Sequence, residues 1–144
     1  MKSHTIVGAQ TLESVLVNYP ANAFLNMGVE IARSHHEHWD GSGYPDGLAG
    51  DLIPLAARIV TVGDQYDALR STRPYKAPFP HDRVVRILTE GDGRTLPEHF
   101  DPRVLDAFRA AEGDFARIWD EFATEGGPTE PPAHQGHREG PFPG

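Results

Sequence analysis

The sequence predicts an all-α domain, a helical bundle of about five helices. Three observations predict it. Apolar residues recur at three- and four-residue spacing in several separate stretches. Clusters of proline and glycine separate those stretches. No stretch alternates apolar and polar residues as a half-buried strand does.

The elements follow in order. Residues 2 to 17 read as a helix with Val7, Leu12, Val15 and Leu16 apolar, broken by Asn18-Tyr19-Pro20. Residues 22 to 36 read as a second helix. Phe24, Met27, Gly28, Ile31 and His35 share one stripe, and Leu25, Val29, Ala32 and His36 share the next. Asn26, Glu30, Arg33 and Glu37 then face water, while both histidines face inward. Neighbouring helical residues diverge by roughly 100°, so His35 and His36 are expected to serve two sites side by side. Residues 37 to 53 form a glycine-rich loop, and Pro54 is expected to open a third helix.

That helix runs from about 54 to 70. Leu55, Ile59, Val62, Tyr66 and Leu69 form its main stripe, with Arg58, Thr61 and Gln65 as its wet sector. Asp64 falls on a second inner face, where a carboxylate needs a partner. Residues 71 to 80 are a proline-punctuated loop carrying Arg73 and Lys76. Residues 81 to 90 form a short helix on Val84, Ile87 and Leu88. Asp101-Pro102 starts the last helix, 102 to 123, expected to bury Val104, Phe108, Ala111, Phe115, Ile118, Trp119 and Phe122. Residues 124 to 144 read as a disordered Gly/Pro-rich tail.

Bulk properties exclude several classes. The 144 residues, 38% of them hydrophobic, suit one domain with a modest core. No apolar run approaches the ~18 residues of a membrane span, and no apolar signal segment follows Met1. With no cysteine, disulfides and thiolate metal sites are impossible, which fits the cytoplasm. A net charge of −8 argues against a general nucleic-acid or anionic-membrane binder.

The chemistry concentrates in His4, His35, His36 and Asp64, on three separate expected helices. Imidazole and carboxylate together suit Fe, Mn, Zn or similar divalent ions. Helical bundles that point such groups inward build dinuclear centres. Two such ions clamp a phosphate and activate a bridging water for in-line attack. The plain reading stands beside this one: each histidine is also consistent with an ordinary core or surface residue. His38 reads as solvated or as support to a ligand; His81, His99, His134 and His137 read as surface residues. Asp40 to Pro45 is either an inter-helix turn closed by Trp39 and Tyr44, or a substrate lip with Tyr44 as a stacking face. Arg73 and Lys76 are either solvated charges or a phosphate clamp.

The stretch His35-His36-Glu37-His38-Trp39-Asp40-Gly41-Ser42-Gly43-Tyr44-Pro45 closely resembles the signature of HD-GYP domains, a branch of the HD phosphohydrolase superfamily. Ala57 through Leu69, Arg73-Pro74-Tyr75-Lys76, Lys2 through Gly8 and Phe100-Asp101-Pro102 resemble its flanking motifs. The resemblance implies an HD-type all-α bundle over 1–123. It implies hydrolysis of cyclic di-GMP with two or three divalent ions, Fe or Mn. It implies His4, His35, His36 and Asp64 as metal ligands, with His35, His36 and Asp64 catalytic. Gly43, Tyr44 and Pro45 would lie near the substrate, and Arg73 and Lys76 would contact its phosphates. The superfamily's His-Asp dyad has no counterpart before His4. The resemblance therefore implies the C-terminal part of such a domain, weak or inactive as written. It also implies an alternative: a non-hydrolysing remnant whose signature loop binds diguanylate cyclase domains. The missing helices would leave the apolar faces of 22–36 and 54–70 exposed and prone to self-association.

Overall fold

The computed structural model of the protein describes residues 2–71 and 77–125. Arg73, Lys76 and the expected tail from 126 onward lie outside them. Five α-helices follow one another, with no strand among the described residues: α1 (Lys2–Leu16), α2 (Ala23–Ser34), α3 (Leu55–Arg70), α4 (His81–Glu90) and α5 (Pro102–Glu125). The all-α expectation holds.

Helices α1 and α2 pair as a hairpin. Small residues let them approach: a β-carbon on Gly8 would sit 3.7 Å from Ala32 Cβ, and one on Gly28 would sit 3.5 Å from Leu12 Cδ1. Thr5 and Ala9 are buried along the α1 seam. Asn22 caps α2, its side chain accepting the Leu25 N–H at 3.0 Å. The helix stops at Ser34, with His35 as its C-cap, two residues earlier than periodicity suggests.

The principal core lies among α3, α4 and α5. Val62, Tyr66, Leu69, Val84, Ile87, Leu88, Phe100, Leu105 and Phe108 form one buried cluster. Helix α4 buries the expected Val84, Ile87 and Leu88 and ends at Gly91, whose φ of 89° a side chain rarely adopts. Asp101 begins α5 as expected, its Oδ1 accepting the Arg103 N–H at 2.9 Å. Pro54 precedes α3 as its N-cap rather than standing inside it.

The apolar faces of 22–36 and 54–70 are exposed in part, as expected: Phe24 is 83% exposed, Met27 50%, Leu55 56% and Ile59 54%. Other expectations are corrected. Ile118 and Phe122, expected to be buried, are exposed. Leu55, Ile59, Val62, Val104, Phe108 and Phe115 line an apolar groove of about 460 Å³ between α3 and α5. Thr61, expected wet, is buried, and Asp64, expected inward, is exposed. No described helix is long and apolar enough to cross a membrane.

Candidate metal centre

Three histidines from two helices meet beside the loop. His4 comes from the first turn of α1, and His35 and His36 from the end of α2. One ligand atom from each lies within 4.8 Å of the others. The ring centroids stand 4.2 Å apart for His35–His36, 5.1 Å for His4–His36 and 6.1 Å for His4–His35. The expectation that His35 and His36 serve separate sites is corrected. It assumed helical phase through both residues, but His35 is the C-cap of α2 and His36 lies beyond it, where the two rings come together.

Hydrogen bonding prepares the set. His35 Nδ1 lies 2.8 Å from the Ile31 carbonyl, which can only accept. The ring's proton therefore sits on Nδ1, leaving the Nε2 lone pair for a ligand, the arrangement metal-binding histidines require. Thr61 Oγ1 is 2.8 Å from the His35 carbonyl and 2.7 Å from that of Ala57, so α3 anchors the same residue. Burial holds the His36 pKa below its ordinary value. His35 and His4 push it the same way, and Asp64 opposes them. His36 is thus a neutral imidazole at neutral pH, the form that coordinates metal. Asp64 acts on His36 by its charge but is not among the residues whose ligand atoms meet within 4.8 Å.

The loop is set against this cluster by close backbone contact. Tyr44 donates its N–H to the His36 carbonyl at 3.2 Å, and its ring stacks on His36 at 5.1 Å and 17°. The Tyr44–Pro45 peptide is cis. Glu37, expected to face water, is 2% exposed. Its two oxygens accept the Asp46 and Leu48 N–H groups at 2.7 and 3.0 Å. The same early end of α2 explains the correction: Glu37 turns under the loop and satisfies its backbone. Arg33 closes the loop's far side with a two-pronged ion pair to Asp46, at 2.8 and 2.9 Å.

The other end of the loop docks on the start of α5. Trp39 donates its N–H to the His99 carbonyl at 2.8 Å and accepts from Gly50 at 2.9 Å. The Arg58 and Arg103 guanidiniums lie 5.8 and 5.9 Å from the Trp39 ring centre. Arg58 also pairs with buried Asp101 at 2.6 Å.

Two histidines read as surface residues are not. His99 stacks on His38 with centroids 4.0 Å apart. His81 accepts or donates at Tyr66 Oη, 2.9 Å away, and its Nε2 contacts Glu112. Their partners are distant in sequence, and no local pattern marks them. Arg73 and Lys76, the expected phosphate contacts, fall outside the described residues.

Comparison with known proteins shows the family. Residues 2–104 match the family model described as HD domain. The chain is 44% identical over 126 residues to a probable cyclic di-GMP phosphodiesterase of Vibrio cholerae, covering 87% of this chain and 28% of that protein. It is 46% identical over 118 residues to a cyclic di-GMP phosphodiesterase of the same species, covering 82% and 23%. It is 43% identical over 124 residues to a cyclic di-GMP phosphodiesterase response regulator of Xanthomonas campestris, covering 86% and 30%. The chain thus spans less than a third of each of these relatives. On this match the chain belongs to the HD domain family, as an HD domain of the HD-GYP type.

Proposed function

We propose that the chain forms the metal-binding wall of a phosphodiesterase that hydrolyses cyclic di-GMP. The observation that carries this is the meeting of His4, His35 and His36 beside Tyr44, in a family whose named relatives act on that substrate. The donor set fits a divalent ion: His35 presents an unprotonated Nε2, and His36 is held neutral. His4, His35 and His36 would hold Fe or Mn, and Asp64 would add a carboxylate from α3. When bound, two or three such ions lower the pKa of a coordinated water and neutralise charge at the phosphate.

The chain's own residues do the rest. Gly43 brings the loop backbone against the histidines, and Tyr44 presents an aromatic face beside them for a guanine base. Arg73 and Lys76 are the proposed phosphate contacts. Among the described residues, three ligand atoms meet at this centre, so turnover by the chain is expected to be slow.

The test is incubation of the chain with cyclic di-GMP and Mn²⁺, with chromatography of the products. Slow appearance of the linear dinucleotide is expected, abolished by chelator and by His36→Ala. Substrate unchanged after prolonged incubation, with no Mn²⁺-dependent binding of cyclic di-GMP, would overturn the reading.

A further inference from the structure

A second convergence of donors lies on the other side of the loop, and it shares no residue with the first. His38, Asp40 and His99 each offer one ligand atom, all within 4.8 Å of one another. They come from two segments far apart in the chain: the loop after α2 and the short 3-10 turn Pro97–His99 before α5. The Trp39–His99 backbone bond holds those segments together, so the three side chains meet on a fixed frame.

Hydrogen bonding assigns the donor atoms. The Ser42 hydroxyl gives its only proton to Asp40 Oδ1, at 2.6 Å. Its oxygen is then left to accept from His38 Nδ1, at 2.9 Å. His38 therefore carries its proton on Nδ1 and keeps the Nε2 lone pair free. The Ser42 N–H also falls on Asp40 Oδ1, at 3.0 Å. Both bonds spare Oδ2 for an ion. His99 Nδ1 accepts a long bond from the Leu96 N–H, at 3.3 Å. Ligation through His99 Nε2 moves that ring's proton to Nδ1, and the long bond is the contact given up.

We propose that His38, Asp40 and His99 form a separate site for a divalent transition-metal ion of the zinc class. Two imidazoles and one carboxylate are a borderline donor set suited to Zn²⁺, with a position left for water. An ion there ties the signature loop to the start of α5. Ser42 is its positioning residue, since it orients both His38 and Asp40. The rings stack 21° from parallel with centroids 4.0 Å apart, so side-chain rotation must open them widely before both lone pairs reach one ion.

The test is calorimetric titration of the metal-free 144-residue chain with Zn²⁺ alone. Titration of the wild type should resolve two classes of site. His99→Gln should remove one class and leave the other within about twofold. His36→Gln should do the converse, retaining the His99-dependent class. Asp40→Asn keeps Oδ1 and the Ser42 turn, and should weaken the same class about tenfold or more. Should His99→Gln not fold, Asp40→Asn and the Zn²⁺-induced ¹⁵N shift of His38 Nε2 decide the matter. Equal Zn²⁺ binding by wild type and either substitution at this cluster, or an unmoved His38 Nε2 resonance at saturating Zn²⁺, would overturn the proposal.

Discussion

Gly43 lies so close to the backbone of His36 that no side chain fits between them. A β-carbon at 43 would stand 2.4 Å from the His36 carbonyl oxygen and 2.4 Å from the His38 nitrogen. Both atoms are main chain, so neither can swing aside. The contact is what sets Tyr44 flat against the His36 ring.

Gly43→Ala is therefore expected to lower stability by about 1–3 kcal/mol and to displace Tyr44 from His36. Urea unfolding checks the first part. Proton NMR of the His36 ring, which loses the Tyr44 ring-current shift, checks the second. An unchanged unfolding midpoint would mean that the loop approaches less closely.

Glu37 satisfies two loop N–H groups from a buried position. Glu37→Gln keeps the shape but turns an amide NH₂ towards one of those donors. A buried group left unsatisfied costs about 1–3 kcal/mol. Amide exchange of Asp46 or Leu48 should accelerate in step with the loss in urea stability. Alanine is the less informative change, because it adds a cavity.

The Arg58–Asp101 pair ties α3 to the start of α5. Burial alone would raise the Asp101 pKa, but the bonds from Arg58 and Arg103 outweigh it and hold the carboxyl below its usual range. A carboxyl with a lowered folded pKa adds stability above its unfolded value of about 3.9. That stability is lost as pH falls through the folded value. The denaturant midpoint of the wild type should fall over this acid window. Arg58→Met should cost about 3 kcal/mol at neutral pH, the lower end for breaking a buried pair, because Arg103 still reaches Asp101. In the same variant the acid-side fall should be shallower.

The exposed Leu55 and Ile59 border the groove between α3 and α5. Contiguous apolar surface of this kind promotes association. Sedimentation velocity at rising concentration should show species above monomer. Ile59→Lys should shift the distribution back to monomer without lowering the melting temperature. A wild type that stays monomeric throughout would remove the expectation.

What the sequence carried and what it hid divide along one physical line. Helix α4 was readable because Val84, Ile87 and Leu88 are its only apolar stripe, and the core it meets is present. Ile118 and Phe122 are exposed where burial is expected, because periodicity marks a face without saying whether another helix covers it. His35 and His36 were identified by their neighbours, but their convergence depends on where α2 stops. No residue type near Ser34 announces that stop. Glu37 departs from expectation because its partners are loop N–H groups, and Thr61 because its hydroxyl reaches the His35 carbonyl as well as that of Ala57. His81 and His99 read as surface residues in the sequence because Tyr66, Glu112 and His38 are close to them in space alone.

The end of α2 has one more consequence. His35 places both its backbone N–H and its ring Nδ1 on the Ile31 carbonyl, at 3.0 and 2.8 Å. Its imidazole is thus a plug in the mouth of the helix. Fraying of the last turn and rotation of the ring are one movement. An ion gripping that ring would act as a latch on α2, slowing exchange of the terminal amides in proportion to its occupancy. Its own escape could outrun that fraying only by leaving the ring in place. The helix terminus and the metal centre would then share a single clock.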